Sequence, residues 1–381
     1  MDSSIEPVPD AAPGFSTEIA RGGAEVIAAL ADEWRDMMTG GPCDEPFYTP
    51  EWIGAYARSF GRASEFLAVT ARRAGRLVAV LPLVRERRTF AGIPVRMLRS
   101  AGNAHTCRYE LVHCREHRED AVRSIWLALL RDSAWDTLLL EFAPPDGAAA
   151  QLARHAASTH CRVGEAPALP QPFVSLSTCA GDFDVLLAGL DAKFRANVRR
   201  RRRKLEARGP LALVHAVGAD DRLRQFYALE RAGWKGSQGT AIACDHTVQA
   251  FYEEAAAKAA ARGYLSLYSL EQERRPVAMY LGLEYAGRYC LLKTAYDEAL
   301  REYSPGQLIT HDVLRDLVER GSRELDFLGG PMDWKSDWKP RERPLSDFHV
   351  YRGAAGRALH ALRFRVRPLV SRALRRVKAR S

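Results

Sequence analysis

The sequence predicts the same order of secondary-structure elements twice, and this repetition restricts the possible folds more than any single motif does. Each half predicts three consecutive strands joined by tight turns, then a loop, an amphipathic helix and one further strand. The strands occupy residues 65–100 and 264–296, and the helix and final strand occupy residues 118–142 and 306–328. The two copies share no convincing residue identity, so the order of the elements alone suggests a duplicated unit.

A single helix between the third and fourth strands makes the fourth strand parallel to its neighbour and leaves a gap beside the third strand. We therefore predict an α/β (mixed α+β) fold of tandem duplicated units, each a mixed, mainly antiparallel sheet flanked by helices. A chain of 381 residues is long enough for two such domains. The predicted parts are a flexible lead-in (1–20), a first unit (21–178), a second unit (179–352) and a basic tail (353–381).

Composition favours a soluble globular protein, with 47% hydrophobic and 27% charged residues. No apolar run approaches the roughly 20 residues of a membrane span. The acidic, proline-rich N-terminus lacks the pattern of a signal peptide. The seven cysteines contain no C-x-x-C pair, which is typical of reduced thiols. These features predict a cytoplasmic location.

The net charge of +9 arises in the basic tail, which has nine Arg or Lys residues and no acidic residue. The remaining 352 residues are balanced, at 47 basic and 47 acidic. The balanced body argues against DNA binding. The tail mixes arginine with Leu, Val and Phe, so it fits either peripheral contact with the anionic inner face of a membrane or a frayed basic terminus.

The stretch Ser304-Pro305-Gly306 lies between the third strand and the helix of the second half. A helix start presents free N–H groups and a positive dipole end, which suit phosphate oxygens. Ser304 can cap the helix, Pro305 fixes its first turn, and Gly306 allows close approach. The alternative interpretation is an ordinary helix start.

Several motifs of the second half appear together in one known family. They are K-x-x-Y-D-E from Lys293, Y-S-P-G from Tyr303, D-F-L-G-G from Asp326 and W-K-G from Trp234. With "FRANVRRRRRKLE", they resemble the GNAT-superfamily acetyltransferases linked to bacterial cellulose and exopolysaccharide synthesis, which are related to the Fem-type enzymes of peptidoglycan cross-bridges. The resemblance covers roughly residues 45–350.

The resemblance implies a pair of GNAT-like units, with donor binding and catalysis in the second. The implied donor is acetyl-CoA or another acyl-CoA, used as a co-substrate rather than as a permanently bound cofactor. The long GNAT pyrophosphate loop, R/Q-x-x-G-x-G/A, is absent, and the Ser304 turn stands in its place. The implied donor-binding residues are Ser304, Pro305, Gly306 and Gln307.

Acyl transfer needs a base for the acceptor, stabilisation of an oxyanion and a proton for the leaving thiolate. Candidate bases are Asp297, Glu298 and Asp326, and candidate acids are Tyr296 and Tyr303. Lys293 is a candidate for holding a phosphate or carboxylate of the acceptor. The alternatives are that Asp326 caps a loop and that the tyrosines only pack in strands.

The arginine run at 199–203 interrupts the helical apolar stripe around it, so Arg201 or Arg202 must occupy a position where an apolar side chain is expected. Guanidinium groups bind phosphates and an indole stacks on sugars or bases. Candidate acceptor-binding residues are Asn197, Arg199, Arg202, Trp234 and Lys235. The alternatives are a solvated helix face, and either a mobile lid or a flexible glycine loop around W-K-G.

No metal site is predicted, since the His and Cys residues between His105 and His117 fit no tetrahedral spacing. The favoured function is N- or O-acyl transfer from acyl-CoA to a sugar-type or cell-envelope polysaccharide precursor. One alternative is a Fem-like transferase that uses aminoacyl-tRNA. Another is a non-catalytic protein that binds RNA or an anionic membrane.

Overall fold

The structure, a computed structural model, describes residues 11–61, 64–90, 92–218 and 221–366. The chain divides into two compact units. The first contains the described residues up to 168 together with those from 344, and the second contains residues 169–343. The predicted boundaries at 178 and 352 differ from these because one strand near each boundary pairs with the other half of the chain.

The first unit is built on a sheet with the order β1-β2-β3-β4-β6-β15-β7, and the short β5 pairs with β3. Its strands are β1 (Phe15–Gly22), β2 (Glu65–Arg73), β3 (Arg76–Phe90), β4 (Ile93–Ser100), β5 (Val112–His113), β6 (Thr137–Ala143), β7 (Arg162–Pro167) and β15 (Ser346–Tyr351). Its helices are α1 (Ala24–Met38), α2 (Pro50–Ser59), α3 (Arg118–Arg131), α4 (Ala148–Ala157) and α12 (Gly353–Ala361).

The second unit is built on a sheet with the order β14-β8-β13-β12-β11-β10-β9. Its strands are β8 (Gln171–Ser175), β9 (Leu211–Val217), β10 (Leu265–Gln272), β11 (Arg275–Tyr285), β12 (Arg288–Tyr296), β13 (Glu324–Asp326) and β14 (Arg341–Arg343). Its helices are α5 (Phe183–Ala188), α6 (Ala192–Glu206), α7 (Asp221–Ala232), α8 (Trp234–Ser237), α9 (His246–Ala261), α10 (Pro305–Glu319) and α11 (Asp333–Ser336).

The predicted fold class is confirmed. The three-strand meanders β2–β4 and β10–β12 are antiparallel. The strand after each crossover helix is parallel to the third strand of its meander, β6 beside β4 and β13 beside β12. The turns at Ala74-Gly75 and Ala286-Gly287 have positive φ at both residues, as two-residue hairpin turns with the right twist require.

The two halves exchange one strand each. In the first sheet, the strand beside β6 is β15, which follows the second unit in sequence. In the second sheet, the strand beside β13 is β8, which precedes most of that unit. Both pairs are antiparallel. The strands β1-β2-β3-β4-β6-β15 of the first sheet therefore correspond one by one to the strands β9-β10-β11-β12-β13-β8 of the second sheet.

Both ends of the first unit are more ordered than the sequence predicts. Residues 15–20 of the predicted lead-in lie in β1, which pairs with β2 along its whole length as an edge strand with little apolar alternation. The predicted tail begins as α12, which buries Leu359, and continues as a π-helical turn, Leu362–Val366. The rest of the tail, including Pro368, lies outside the described residues. Among the helices of the described ranges, none has the length and apolar character to cross a bilayer.

Candidate active site

The strand–turn–helix segment of the second unit begins where β12 and β13 part. These strands pair only from Arg288↔Glu324 to Cys290↔Asp326, and β12 then runs on to Tyr296 while β13 ends. A 3₁₀ segment, Glu298–Tyr303, connects β12 to the turn before α10. The predicted gap beside the third strand is therefore present.

The turn before α10 is open at Gly306. A Cβ atom added to Gly306 would meet no atom within 4 Å. Pro305 is buried at the first helical position, and no acidic residue lies in the first turn of this 15-residue helix. The positive end of the helix dipole therefore meets open space at Gly306, with no carboxylate in the first turn of the helix itself.

Two residues of this turn use their polar groups within the protein. Ser304 lies at the N-cap position with a left-handed φ of 50°, but its side chain makes no capping hydrogen bond, contrary to the expectation. The amide Nε2 of Gln307 donates to the Trp334 carbonyl (3.1 Å) and to Asp337 (2.9 Å). Its Oε1 accepts from the indole of Trp338 at 2.7 Å. The Gln307 side chain therefore anchors the α11 region to the start of α10.

The W-K-G motif contacts the end of β12. Lys235 Nζ donates to Glu230 Oε1 at 2.9 Å and to the Thr294 carbonyl at 2.6 Å. The backbone N–H of Trp234 donates to Glu298 Oε1 at 2.6 Å. The structure thus brings together the W-K-G and K-x-x-Y-D-E motifs, which are separated by about 60 residues in the sequence.

The segment around W-K-G is a short helix held by internal contacts rather than an irregular glycine loop. Glu230, only 2% exposed, also accepts from the backbone N–H of Ile242 at 2.9 Å. A Cβ atom at Gly236 would overlap the carbonyl oxygen of Arg231, so glycine is required at this position. These contacts connect α8 to α7 and β12, and the mobile lid stays a prediction.

A cavity of about 20 Å³ lies between α7, α8 and β12, which is enough for about one water molecule. It is lined by Leu229, Glu230, Gly233, Trp234, Lys235, Thr294, Ala295 and Tyr296. Tyr296 is half-buried here, and Trp234 remains 42% exposed. The cavity therefore places a phenol and an exposed indole around a buried ion pair.

Asp326 lies in a buried polar cluster at the end of β13. The residue is 0% exposed, its Oδ2 accepts from Arg343 at 2.5 Å, and its Oδ1 accepts from the N–H of Leu328 at 2.9 Å. Lys335, 5% exposed, donates to the carbonyl oxygens of Leu328 (2.7 Å) and Gly330 (2.9 Å). Asp326 therefore caps the loop that follows β13, which is the alternative to a catalytic role given above.

The burial of Lys335 is expected to make the stability of the protein depend on pH. Burial lowers its pKa to about 8, although the charge of Asp326 opposes the shift, whereas an ordinary lysine has a pKa of 10.5. Between these values the unfolded chain keeps a proton that the folded chain releases. We therefore expect the free energy of unfolding to rise with pH in this window, by up to about 1.4 kcal/mol per pH unit.

Urea denaturation of the parent and of Lys335→Met between pH 7.5 and pH 10.5 measures this dependence. The difference between the two proteins isolates the lysine from the other groups that titrate in this range. Equal slopes in the two proteins would contradict a lowered pKa at Lys335.

The other predicted catalytic residues lie at the end of β12 and in the 3₁₀ segment, where Glu298 is exposed and the others are half-buried. Lys293 Nζ lies 5.4 Å from the centroid of the Tyr252 ring. The Arg208 guanidinium lies 5.6 Å from the centroid of Tyr303. Asp297 caps the 3₁₀ segment through its side chain. Unlike Asp326, these groups have part of their surface in solvent.

The arginine run of α6 contains one ion-paired and several exposed residues. Arg202 interrupts the apolar stripe, as predicted, and binds both carboxylate oxygens of Asp312 in α10. Arg199 is exposed, and Asn197 accepts from Arg200 at 3.2 Å. Arg202 therefore fastens α6 to α10, and Arg199 remains accessible to a ligand.

The His- and Cys-rich stretch of the first unit forms ordinary loop and strand contacts. His113 Nδ1 lies 2.7 Å from the Cys114 carbonyl, and His105 stacks on Phe60. In the part of the chain that the structure describes, no three His, Cys, Asp or Glu side chains are placed to share a metal ion. All seven cysteines are free thiols.

Residues 192–336, from α6 to α11, match the model of the family described as acetyltransferase (GNAT) domain. The second unit is therefore similar to a GNAT domain over these residues. The match includes W-K-G, the Ser304 turn and Lys335. No curated protein sequence gives a significant match to the chain.

Solved structures extend the likeness beyond residues 192–336 to most of the chain. FemX matches with a TM-score of 0.59 and 10% identity over 91% of this chain and 99% of its own. The C-terminal domain of a protein from Agrobacterium fabrum, assigned as a putative lysylphosphatidylglycerol synthetase, matches with a TM-score of 0.53 and 14% identity over 88% of this chain and 97% of its own. A conserved protein of unknown function from Bacteroides thetaiotaomicron matches with a TM-score of 0.50 and 11% identity over 85% of this chain and 97% of its own. These likenesses show the fold.

Sequence reasoning did not identify two buried groups of the second unit, Glu230 and Lys335. Glu230 lies in an ordinary amphipathic helix, and only its ion pair with Lys235 distinguishes it. Lys335 lies in "PMDWKSDWKP", five residues after the D-F-L-G-G motif, and this short distance was the only available signal.

Proposed function

We propose that the chain transfers an acyl group, with acetyl as the first candidate, from acyl-CoA to an amine or hydroxyl of a sugar-type or cell-envelope polysaccharide precursor. The observation that carries this proposal is the open start of α10 at Gly306, which has no carboxylate in its first turn and lies inside the GNAT domain. The diphosphate of CoA is the kind of anion that such a helix start binds.

A comparison of the two crossover helices supports donor binding in the second unit. α3 of the first unit begins at Arg118 and carries Glu119 and Asp120 in its first turn. These carboxylates make the backbone N–H groups at the start of α3 a poorer phosphate site than those of α10. The first turn of α10 has no such residue.

The chemistry requires three steps: the acceptor loses a proton, the thioester carbonyl becomes a tetrahedral oxyanion, and the thiolate leaves with a proton. We assign the base to Glu298 or Asp297, which lie at the end of β12 with access to solvent. Tyr296, beside the small cavity, is assigned as the proton donor for the thiolate. Asp326 is the least suited base, because Arg343 and a backbone N–H occupy its carboxylate.

Exposed groups near these residues suit an anionic sugar acceptor. The indole of Trp234 is 42% exposed and offers a stacking surface, and its backbone is fixed by Glu298. Arg199 offers an accessible guanidinium for a phosphate or carboxylate. Lys293 is assigned to the charged group of the acceptor. Contact of the basic tail with an anionic membrane is a further proposal, and most of its basic residues lie outside the described residues.

Thermal unfolding with acetyl-CoA tests the donor site. A ligand at about 100 times its Kd adds roughly 2.7 kcal/mol of stability, so the parent is expected to unfold at a higher temperature in its presence. In Gly306→Arg the new side chain extends into the open space before α10, and the shift is expected to disappear. Gly306→Ala adds only a Cβ atom without contacts and serves as the control, with the shift largely retained.

The absence of any shift with acetyl-CoA or longer acyl-CoAs would overturn the acyl-CoA proposal. Aminoacyl-tRNA would then become the donor to test, as the Fem-type resemblance implies. The non-catalytic alternative predicts binding to RNA or anionic vesicles that weakens steeply between low and moderate salt, without turnover.

A further inference from the structure

A second cavity, which the proposed acyl transfer does not use, lies within the first unit. Its volume is about 750 Å³, within the range of small-molecule sites. It lies between the end of α1, the β2–β3 turn and the segment before α3. Its lining, here called the first-unit groove, consists of Asp36, Met37, Thr39, Gly40, Gly41, Arg73, Ala74, Arg76, Leu77, Val78, Cys114, Arg115, Glu116 and His117.

The charged side chains of the groove carry an excess of positive charge. Three guanidinium groups, on Arg73, Arg76 and Arg115, face two carboxylates, on Asp36 and Glu116, and all five residues are exposed. By contrast, Arg72 and Arg118 nearby are engaged, the first with Glu33 and the second with Gln151. Arg76 and Arg115 are therefore the groove arginines most accessible to an anion, and Arg73 also contacts His117.

Arg73 is positioned by aromatic contacts. Its guanidinium lies 5.9 Å from the centroid of Phe15, and its Nη1 lies 2.9 Å from Nε2 of His117. Because a guanidinium only donates hydrogen bonds, an imidazole nitrogen of His117 accepts in this contact. Arg73 thus has a defined place in the groove.

The groove occupies the position in the first unit that corresponds to the Ser304 turn in the second. In both units the chain passes from the third strand of the meander into the crossover helix, and the last residues before that helix are Arg115–His117 in the first unit. The second unit offers open backbone at this point, whereas the first offers arginine side chains beside a larger cavity.

We infer that the first-unit groove binds a nucleoside diphosphate, with the diphosphate held by Arg73, Arg76 and Arg115. Guanidinium groups donate paired hydrogen bonds to phosphate oxygens, and Met37, Leu77 and Val78 provide apolar surface for the nucleoside. Two molecules carry this group: the adenosine diphosphate part of CoA and a nucleotide-activated sugar. The inference does not depend on the proposed acyl transfer.

Titration calorimetry with ADP, UDP and inorganic pyrophosphate tests this site. The full chain carrying Gly306→Arg is the starting protein, so that the turn before α10 does not contribute. We expect one binding event, weakened about tenfold for each guanidinium removed in Arg76→Ala/Arg115→Ala. Arg123→Ala/Arg162→Ala removes two exposed arginines outside the groove and is expected to bind like the starting protein.

The relative affinities identify the source of the ligand. Tighter binding of ADP favours CoA, tighter binding of UDP favours a nucleotide sugar, and equal binding shows that the diphosphate alone is recognised. Absence of binding for all three ligands, or equal binding to the two double variants, would overturn the inference. If ADP binds tightest, acetyl-CoA also occupies the groove, so the thermal experiment is repeated with Arg76→Ala/Arg115→Ala added to Gly306→Arg. A shift that survives Gly306→Arg and is lost on removal of the two arginines belongs to the groove, and a shift lost in Gly306→Arg alone belongs to the turn before α10.

Discussion

Arg202→Ala is expected to lower the free energy of unfolding of the second unit by about 3 to 5 kcal/mol. The Arg202 guanidinium binds both carboxylate oxygens of Asp312, which is buried in α10. Burial alone would raise the pKa of Asp312, but the hydrogen bond from His311 and the charge of Arg202 outweigh it and hold the pKa below its usual value. Without the arginine, a buried carboxylate loses its main counter-charge.

Guanidinium chloride denaturation measures this loss, and the chain offers a matched control. Arg224 pairs with Asp221 in an ion pair whose side chains are 80% and 79% exposed, so Arg224→Ala is expected to change stability by less than about 1 kcal/mol. Arg202→Met/Asp312→Leu replaces the pair by apolar groups and is expected to recover most of the loss. Equal effects of the two single variants would show that the α6–α10 ion pair contributes no more than a surface pair.

Lys235→Ala is expected to have an effect of similar size, about 3 to 5 kcal/mol, because it leaves Glu230 buried without its cation. The Glu230 side chain is 1% exposed, and the Lys235 side chain is 19% exposed. The lysine also donates to the Thr294 carbonyl, so the variant loses the contact between α8 and β12. Under the proposed function, the same variant is expected to lose turnover because Trp234 and Glu298 are no longer held together.

Lys258→Ala is the matched control for this prediction. Lys258 pairs with Glu254 one helical turn away at 3.5 Å, with side chains 38% and 25% exposed, and such a pair contributes about 0.5 kcal/mol. Glu230→Gln combined with Lys235→Met removes the buried charge and is expected to recover part of the stability. A loss for Lys235→Ala no larger than that for Lys258→Ala would contradict the buried role of the pair.

Local sequence signals were sufficient to predict the two meanders and their crossover helices. The Ala74-Gly75 and Ala286-Gly287 turns fix the hairpins, and Thr49 with Pro50 correctly marks the start of α2, where the Thr49 side chain accepts from the N–H of Trp52. The parallel direction of β13 follows from the crossover alone. These features depend on residues that lie close together in the sequence, so one sequence is sufficient to predict them.

Contacts between distant residues were not predictable in the same way. The break in the α6 stripe correctly identified Arg202 as unusual, but nothing in the sequence indicated that Asp312 is its partner, 110 residues away. The partners of β8 and β15 were also hidden, because a short strand carries no information about which sheet edge it joins. For the candidate site, the sequence identified the motifs that meet at the end of β12, and the structure added Glu230 and Lys335.

The exchanged strands have a consequence for the order in which the protein is completed during synthesis. The second unit is contiguous from residue 169 to residue 343, so all of its strands have been made once residue 343 is added. The first unit still lacks β15, an inner strand that lies between β6 and β7. Although it is translated first, the amino-terminal half keeps β6 as an open edge until β15 has left the ribosome. A gene cut at its midpoint would therefore not yield two domains that fold alone.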